Sequence, residues 1–249
     1  FHLGHPLRAW RAATMWRTSW LSREVIALPL FMACLFGWTA SLALGLPGTG
    51  WWALAAGVSC VVLWICTAMI YASLRFLQEW ASAYTLVNYI LLGLASGATL
   101  ATALATVAQP ELVAQLALSA LLLTLAGMVS RLLSLRRNAR LKPRSTLQTA
   151  LGIRHPRIAQ RAQGFMGGSF NTREFFHGRS AALLRHVKSG FVLGAFVVPA
   201  AMLLLAMTSP IALLPVAAFA VQYVGLLAER WFFFAQANHP QNLYYQVVS

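Results

Sequence analysis

Few groups in this chain can do chemistry: five glutamates, no aspartate, six histidines and three cysteines among 249 residues. Two of the histidines, His2 and His5, and one glutamate, Glu24, fall in the opening stretch FHLGHPLRAWRAATMWRTSWLSREV together with four arginines. A carboxylate and an imidazole take up and release protons at a pH set by burial and neighbouring charge. At the mouth of a membrane span such a pair suits a lipid-soluble quinone, whose two-electron reduction also takes up two protons. His2 and Glu24 are then the proton-transfer candidates, Arg8 holds a quinone carbonyl by a charge-assisted hydrogen bond, and Trp20, with Trp10 and Trp16, walls the pocket. Ser22 is expected to cap a helix starting near Arg23, which leaves Glu24 in the first turn beside the positive helix end. The plainer alternative is that Arg, Trp and His anchor the chain at the membrane interface while Glu24 complements a helix terminus.

A second charged pair, Glu229 and Arg230, lies in AERWFFFAQANHPQNLYY near the other end. Neighbouring helix positions point about 100° apart, so the two are not expected to pair with one another. At least one of them should face inward, where charges are functional candidates, and Arg230 joins the quinone set. Other chemistry lacks its residues. No aspartate completes a Ser-His-Asp triad, and neither HExxH nor CxxC occurs. Cys34, Cys60 and Cys66 sit in apolar runs and read as packing. GFMGGSF lacks the GK[ST] ending of a phosphate loop and reads as a turn. No metal site is expected, and any iron–sulfur cluster belongs to another subunit.

The elements that must position these groups are membrane helices. The chain is 59% hydrophobic and 10% charged, with a mean hydropathy of +0.66, far from a soluble domain. Six apolar runs reach or approach the roughly 20 residues that cross hydrocarbon as a helix. They cover 25–46, 51–72, 85–107, 112–130, 190–207 and 211–228, the last continuing into WFFF, and none carries a charge before Glu229. The predicted fold class is therefore an all-α polytopic membrane bundle. It divides into an interfacial segment over 1–24, a four-helix part over 25–130, a basic loop over 131–189 and a two-helix part with its tail over 190–249. All six histidines fall outside the runs, so no haem is expected to be ligated within this part of the chain. Gly93 and Gly97, and Gly190 and Gly194, have the four-residue spacing that lets helix backbones approach closely.

Threading the runs alternately across a bilayer puts all nineteen Lys and Arg on one side. Cytoplasmic loops retain Lys and Arg, so that side is expected to be the cytoplasm. The excess of cations does not suggest nucleic acid, because no soluble reading element accompanies it. The loop over 131–189 carries thirteen of the cations against Glu174 alone, a net +12. Arg136, Arg137, Arg140, Arg154, Arg157 and Arg173 are its candidate docking residues for an acidic partner. Retention by the positive-inside rule plus attraction to anionic lipid head groups is the plainer alternative and alone accounts for about half of such charge.

HLGHPLRAW followed by SWLSREV, and AERWFFFAQANHPQNLYY, resemble the membrane-anchor subunits of dimethyl sulfoxide reductases, the DmsC-like family. The resemblance implies an anchor for a molybdopterin catalytic subunit and an iron–sulfur electron-transfer subunit that exchanges electrons with membrane quinone, ubiquinone or menaquinone. It ties His2 and Glu24 to quinol binding, and it implies eight spans in the full-length protein, two of them before Phe1. In the reductases the partners sit on the periplasmic face. Here the HLG segment is on the basic face, and RAQGFMGGSFNTREFFHGRSAALLRHVKSG resembles the anchor of cytoplasm-facing sulfite dehydrogenases. The expectation is thus an inner-membrane anchor that passes electrons from sulfite to quinone, with molybdopterin and iron–sulfur clusters confined to partners on the cytoplasmic side. A quinol-oxidising reductase anchor and a purely structural tether remain alternatives. A transporter, which needs ionisable groups at mid-membrane, does not fit six uncharged runs.

Overall fold

The computed structural model describes residues 5–142, 144, 146–159, 181–209 and 211–237. An opening 3-10 segment, Pro6–Ala13, leads into α1 (Trp20–Ala43), α2 (Thr49–Ala72), α3 (Ala83–Ala108) and α4 (Val113–Asn138). A short α5 (Leu147–Leu151) follows, then α6 (Ala181–Val192), a π turn over Leu193–Val197, α7 (Val198–Thr208) and α8 (Leu213–Ala235). No strand occurs among the described residues, and six helical stretches are long and apolar enough to cross a membrane, the fifth running unbroken from Ala182 to Thr208.

The ends of the helices follow from local chemistry. Ser19, in extended conformation, caps α1 by accepting from the Ser22 amide at 3.4 Å. The cap is therefore Ser19 rather than Ser22, the helix begins at Trp20, and Glu24 moves from the first turn into the second. Gly48 starts α2 at φ +84°, a left-handed conformation open to glycine. Ser82 caps α3 by accepting from the Tyr84 amide at 3.0 Å.

The largest departure from the apolar runs is α4, which continues eight residues past Ser130 and carries Arg131, Arg136 and Arg137 on the helix. A charge marks the end of a span only where it meets water, and Arg131 is 2% exposed. At the fifth span the helix likewise starts earlier than 190, so Arg185, His186 and Lys188 are helical. His186 is consequently on a membrane-crossing helix, exposed at its basic end, where its Nδ1 lies 2.7 Å from the Ala182 carbonyl oxygen.

α3, α4, α7 and α8 close a ring, each packed on the next, and α6 joins it through α8. α1 and α2 form a hairpin that meets this ring mainly through α2 on α3. The ring closes tightly at one crossing. A Cβ on Gly225 of α8 would collide with the backbone of Gly194 and Ala195 in the π turn, and one on Gly194 would lie 3.3 Å from the Gly225 Cα. Of the two spaced glycine pairs, only Gly194 makes a backbone approach; Gly93 faces the Trp64 indole, and Gly97 and Gly190 face open space. Beside the crossing, Pro199 has no N–H for the Ala195 carbonyl four residues back. The buried Gln222 Nε2 donates to that carbonyl at 3.3 Å and to Thr124 Oγ1 at 3.1 Å.

Candidate functional site

The basic end of the bundle gathers the ionisable groups. On α1, Glu24 lies about 6 Å from the helix start at 1.5 Å per residue. Its Oε1 accepts from the Thr67 hydroxyl of α2 at 2.6 Å, a short charge-assisted bond that fixes the carboxylate against the hairpin. One turn further along α2, Tyr71 turns to the ring. It is stacked on Tyr89 of α3 with centroids 6.0 Å apart, and meets Trp80 and Phe233 edge-on.

Arg230 sits beyond Tyr89. Its guanidinium carbon is 4.6 Å from the Tyr89 ring centroid and 4.8 Å from that of Phe233. Trp80 stacks on Phe233 and ties α8 down by donating its indole N–H to the Phe233 carbonyl at 2.9 Å. Contrary to the expectation from helix geometry, Glu229 and Arg230 do pair: Arg230 Nε and Nη2 each lie 2.6 Å from Glu229 Oε2. The 100° separation describes Cβ directions, and a long guanidinium arm bends back across it. Glu229 is fully buried, and its other oxygen faces Arg131 Nε at 2.7 Å, a contact without hydrogen-bond alignment. Arg131 Nη2 has no hydrogen-bond partner among the described residues. Two guanidiniums thus share one carboxylate and leave an excess positive charge.

The residues singled out in the sequence are only partly brought together. Trp20 opens α1 with Arg23 lying over its ring at 4.1 Å, and Arg23 also donates to the carbonyls of Trp16 and Arg17 at 2.8 and 2.9 Å. Arg8, Trp10 and Trp16 are exposed. The two tryptophans lie beside Arg11 and Arg17 rather than walling Glu24. His2 lies outside the described residues, as does Arg173. Of the docking candidates, Arg136, Arg140, Arg154 and Arg157 are exposed. Arg137 is half-buried and donates to the Gln78 carbonyl at 3.1 Å and to Asn138 Oδ1 at 2.8 Å. No cluster of His, Cys and Glu able to hold a metal occurs among the described residues.

Thr67, Tyr71, Tyr89 and Arg131 are the site residues that sequence reasoning passed over. Thr67 and Tyr71 stand four apart in an apolar run, so both fall on one face of α2; that spacing was the available signal. In combination, the arrangement offers a carboxylate at one end, a guanidinium at the other, and phenols and an indole between. All are partly exposed.

The DMSO reductase anchor subunit (DmsC) family model matches residues 1–153. A curated sulfite dehydrogenase subunit of Allochromatium vinosum is 50% identical over an alignment of 270 residues that covers 100% of this chain and 81% of that protein. No solved structure matches.

Proposed function

Because the chain belongs to the DMSO reductase anchor subunit (DmsC) family, we propose that it anchors a molybdopterin oxidoreductase complex and forms its quinone site, with sulfite as the electron donor. The observation that carries the choice of sulfite is the 50% identity, over the whole chain, to a subunit of a sulfite dehydrogenase. Sulfite and water yield sulfate, two electrons and two protons. The molybdopterin and iron–sulfur clusters of partner subunits supply the oxidation and the electron path. This chain's residues bind quinone and deliver the two protons that accompany two electrons.

Glu24 is the proton donor and acceptor of this proposal. Its bond to Thr67 supports that role, since it holds a carboxylate at the bilayer edge in one orientation. His2 is the second proton-transfer group, Arg8 and Trp20 line the approach, and Arg230 completes the quinone-binding set. The exposed arginines 136, 140, 154 and 157 belong to the docking face for the iron–sulfur subunit, together with Arg137 and Arg173. That face is cytoplasmic by the positive-inside rule, in a bacterial inner membrane. A reductase anchor oxidising quinol, favoured by the family's own description, would use the same residues in the opposite direction.

The test is Glu24→Gln in the assembled complex. Electron transfer from sulfite to decylubiquinone should fall about a hundredfold, in the usual range for a lost acid–base group, while the subunits still co-purify. Full quinone-linked turnover in that variant would remove Glu24 from proton transfer, and sulfite-independent quinol oxidation would select the reductase direction.

A further inference from the structure

We propose that Arg230, Tyr89 and Tyr71 form a second pole of the quinone site, addressing the ring oxygen remote from Glu24, and that Glu229 is the positioning residue that holds Arg230 in place. This rests on the quinone reading of Glu24.

A quinone carries two carbonyl oxygens across its ring, and a carboxylate on one side leaves the far oxygen without a partner. The sequence alone put Arg230 at the last span with nothing to orient it. The structure supplies the orientation. Glu229 is wholly buried, accepts from Arg230, and is itself backed by the buried Arg131. Tyr89 and Phe233 lie under the guanidinium face, so the group is held from below and from its carboxylate side. A guanidinium carries five N–H donors, more than the two nitrogens turned to Glu229 can use.

Exposure separates the backing from the working surface. Glu229 and Arg131 are closed off, whereas Glu24, Thr67, Tyr71, Tyr89 and Arg230 are all partly exposed. Tyr71 links the two ends: it lies one helical turn from Thr67, the donor to Glu24, and its ring is stacked on Tyr89, over which the Arg230 guanidinium sits. The charge balance also favours a ligand. A structural pair buried in an apolar bundle is most stable when neutral, but here two guanidiniums face one carboxylate. The surplus cation stabilises an oxygen that gains electron density when the ring is reduced.

The experiment uses membranes holding the assembled complex, with Tyr89→Phe, Arg230→Lys, Glu229→Gln and, for reference, Glu24→Gln. The dissociation constant of an alkyl-hydroxyquinoline N-oxide is read by fluorescence quenching, which needs no electron donor. KM and kcat for decylubiquinone are normalised to sulfite–ferricyanide turnover. Tyr89→Phe and Arg230→Lys should each raise KM and the inhibitor Kd about tenfold, with kcat falling by less than about threefold, as expected for binding contacts. Glu229→Gln should do the same in the wild-type background and add little to Arg230→Lys, because it acts through that residue. If Glu229→Gln fails to assemble, Tyr89→Phe and Arg230→Lys decide alone. Inhibitor Kd and KM within about twofold of wild type in both, while Glu24→Gln depresses turnover, would overturn the second pole and leave the quinone site standing. No effect from any of the four, Glu24→Gln included, would overturn both.

Discussion

Thr67 decides how Glu24 behaves. A carboxylate at the bilayer edge has several rotamers, and a hydroxyl at 2.6 Å selects one of them. Hydrogen bonds to charged groups contribute about 1.5–3 kcal/mol, enough to hold the selected rotamer nearly fully populated. Thr67→Val keeps the side chain's shape and removes the donor. Quinone-linked turnover should fall about tenfold and thermal unfolding of the solubilised protein should drop by a few degrees, and the two are read by decylubiquinone reduction and by circular dichroism. At this scale the sequence was legible by residue type and illegible by contact. Glu24 stood out because carboxylates are scarce and it sits at a span's mouth. Its partner lies 43 positions away on another helix, a distance that no local pattern reports. The Glu229–Arg230 pair is hidden from the sequence for a related reason, since backbone directions along a helix do not report how far a guanidinium reaches.

Among the elements, the crossing of α8 on the π turn is the narrowest point of the ring. A methyl at 225 would have to displace backbone atoms, which cannot swing aside as a side chain can. Gly225→Ala should therefore abolish accumulation of folded protein, whereas Gly97→Ala, which faces open space, should be neutral within about 0.5 kcal/mol. Membrane yield and thermal unfolding distinguish these outcomes. Six helices were readable because hydrocarbon thickness sets a minimum run of apolar residues. Their ends were not, where neutralisation rather than hydropathy sets the limit. Arg131 reads as the start of a loop, yet Glu229 offsets its charge and lets α4 continue to Asn138. The π turn has no sequence signature beyond Pro199, which removes one backbone donor and marks where the ladder changes.

For the whole molecule, the proposed site draws on both parts of the bundle, with Glu24 and Thr67 on the hairpin and Tyr89, Glu229 and Arg230 on the ring. Their meeting depends on α2 packing on α3, and the ionic core of the ring lies directly behind it. Glu229→Leu would leave Arg131 and Arg230 facing each other uncompensated, at a cost of about 3–5 kcal/mol. A large drop in unfolding temperature is the expected reading, and an unchanged temperature would show that Glu229 carries no structural charge balance. Orientation is a property of the same scale. An Arg8→Cys variant, altered on the exposed opening segment, should be labelled by membrane-impermeant maleimide in inside-out vesicles and protected in spheroplasts.

The ion pair between α4 and α8 has one more consequence, which follows from where water is absent. Dissolved ions screen charges that face solvent within a Debye length of about 8–10 Å, but they do not enter a pair whose members are 2% and 0% exposed. Arg136, Arg140, Arg154 and Arg157 face solvent and have no such shelter. On the docking proposed above, raising ionic strength to molar chloride should thus strip the partner subunits from the membrane surface while the helices themselves stay clipped together.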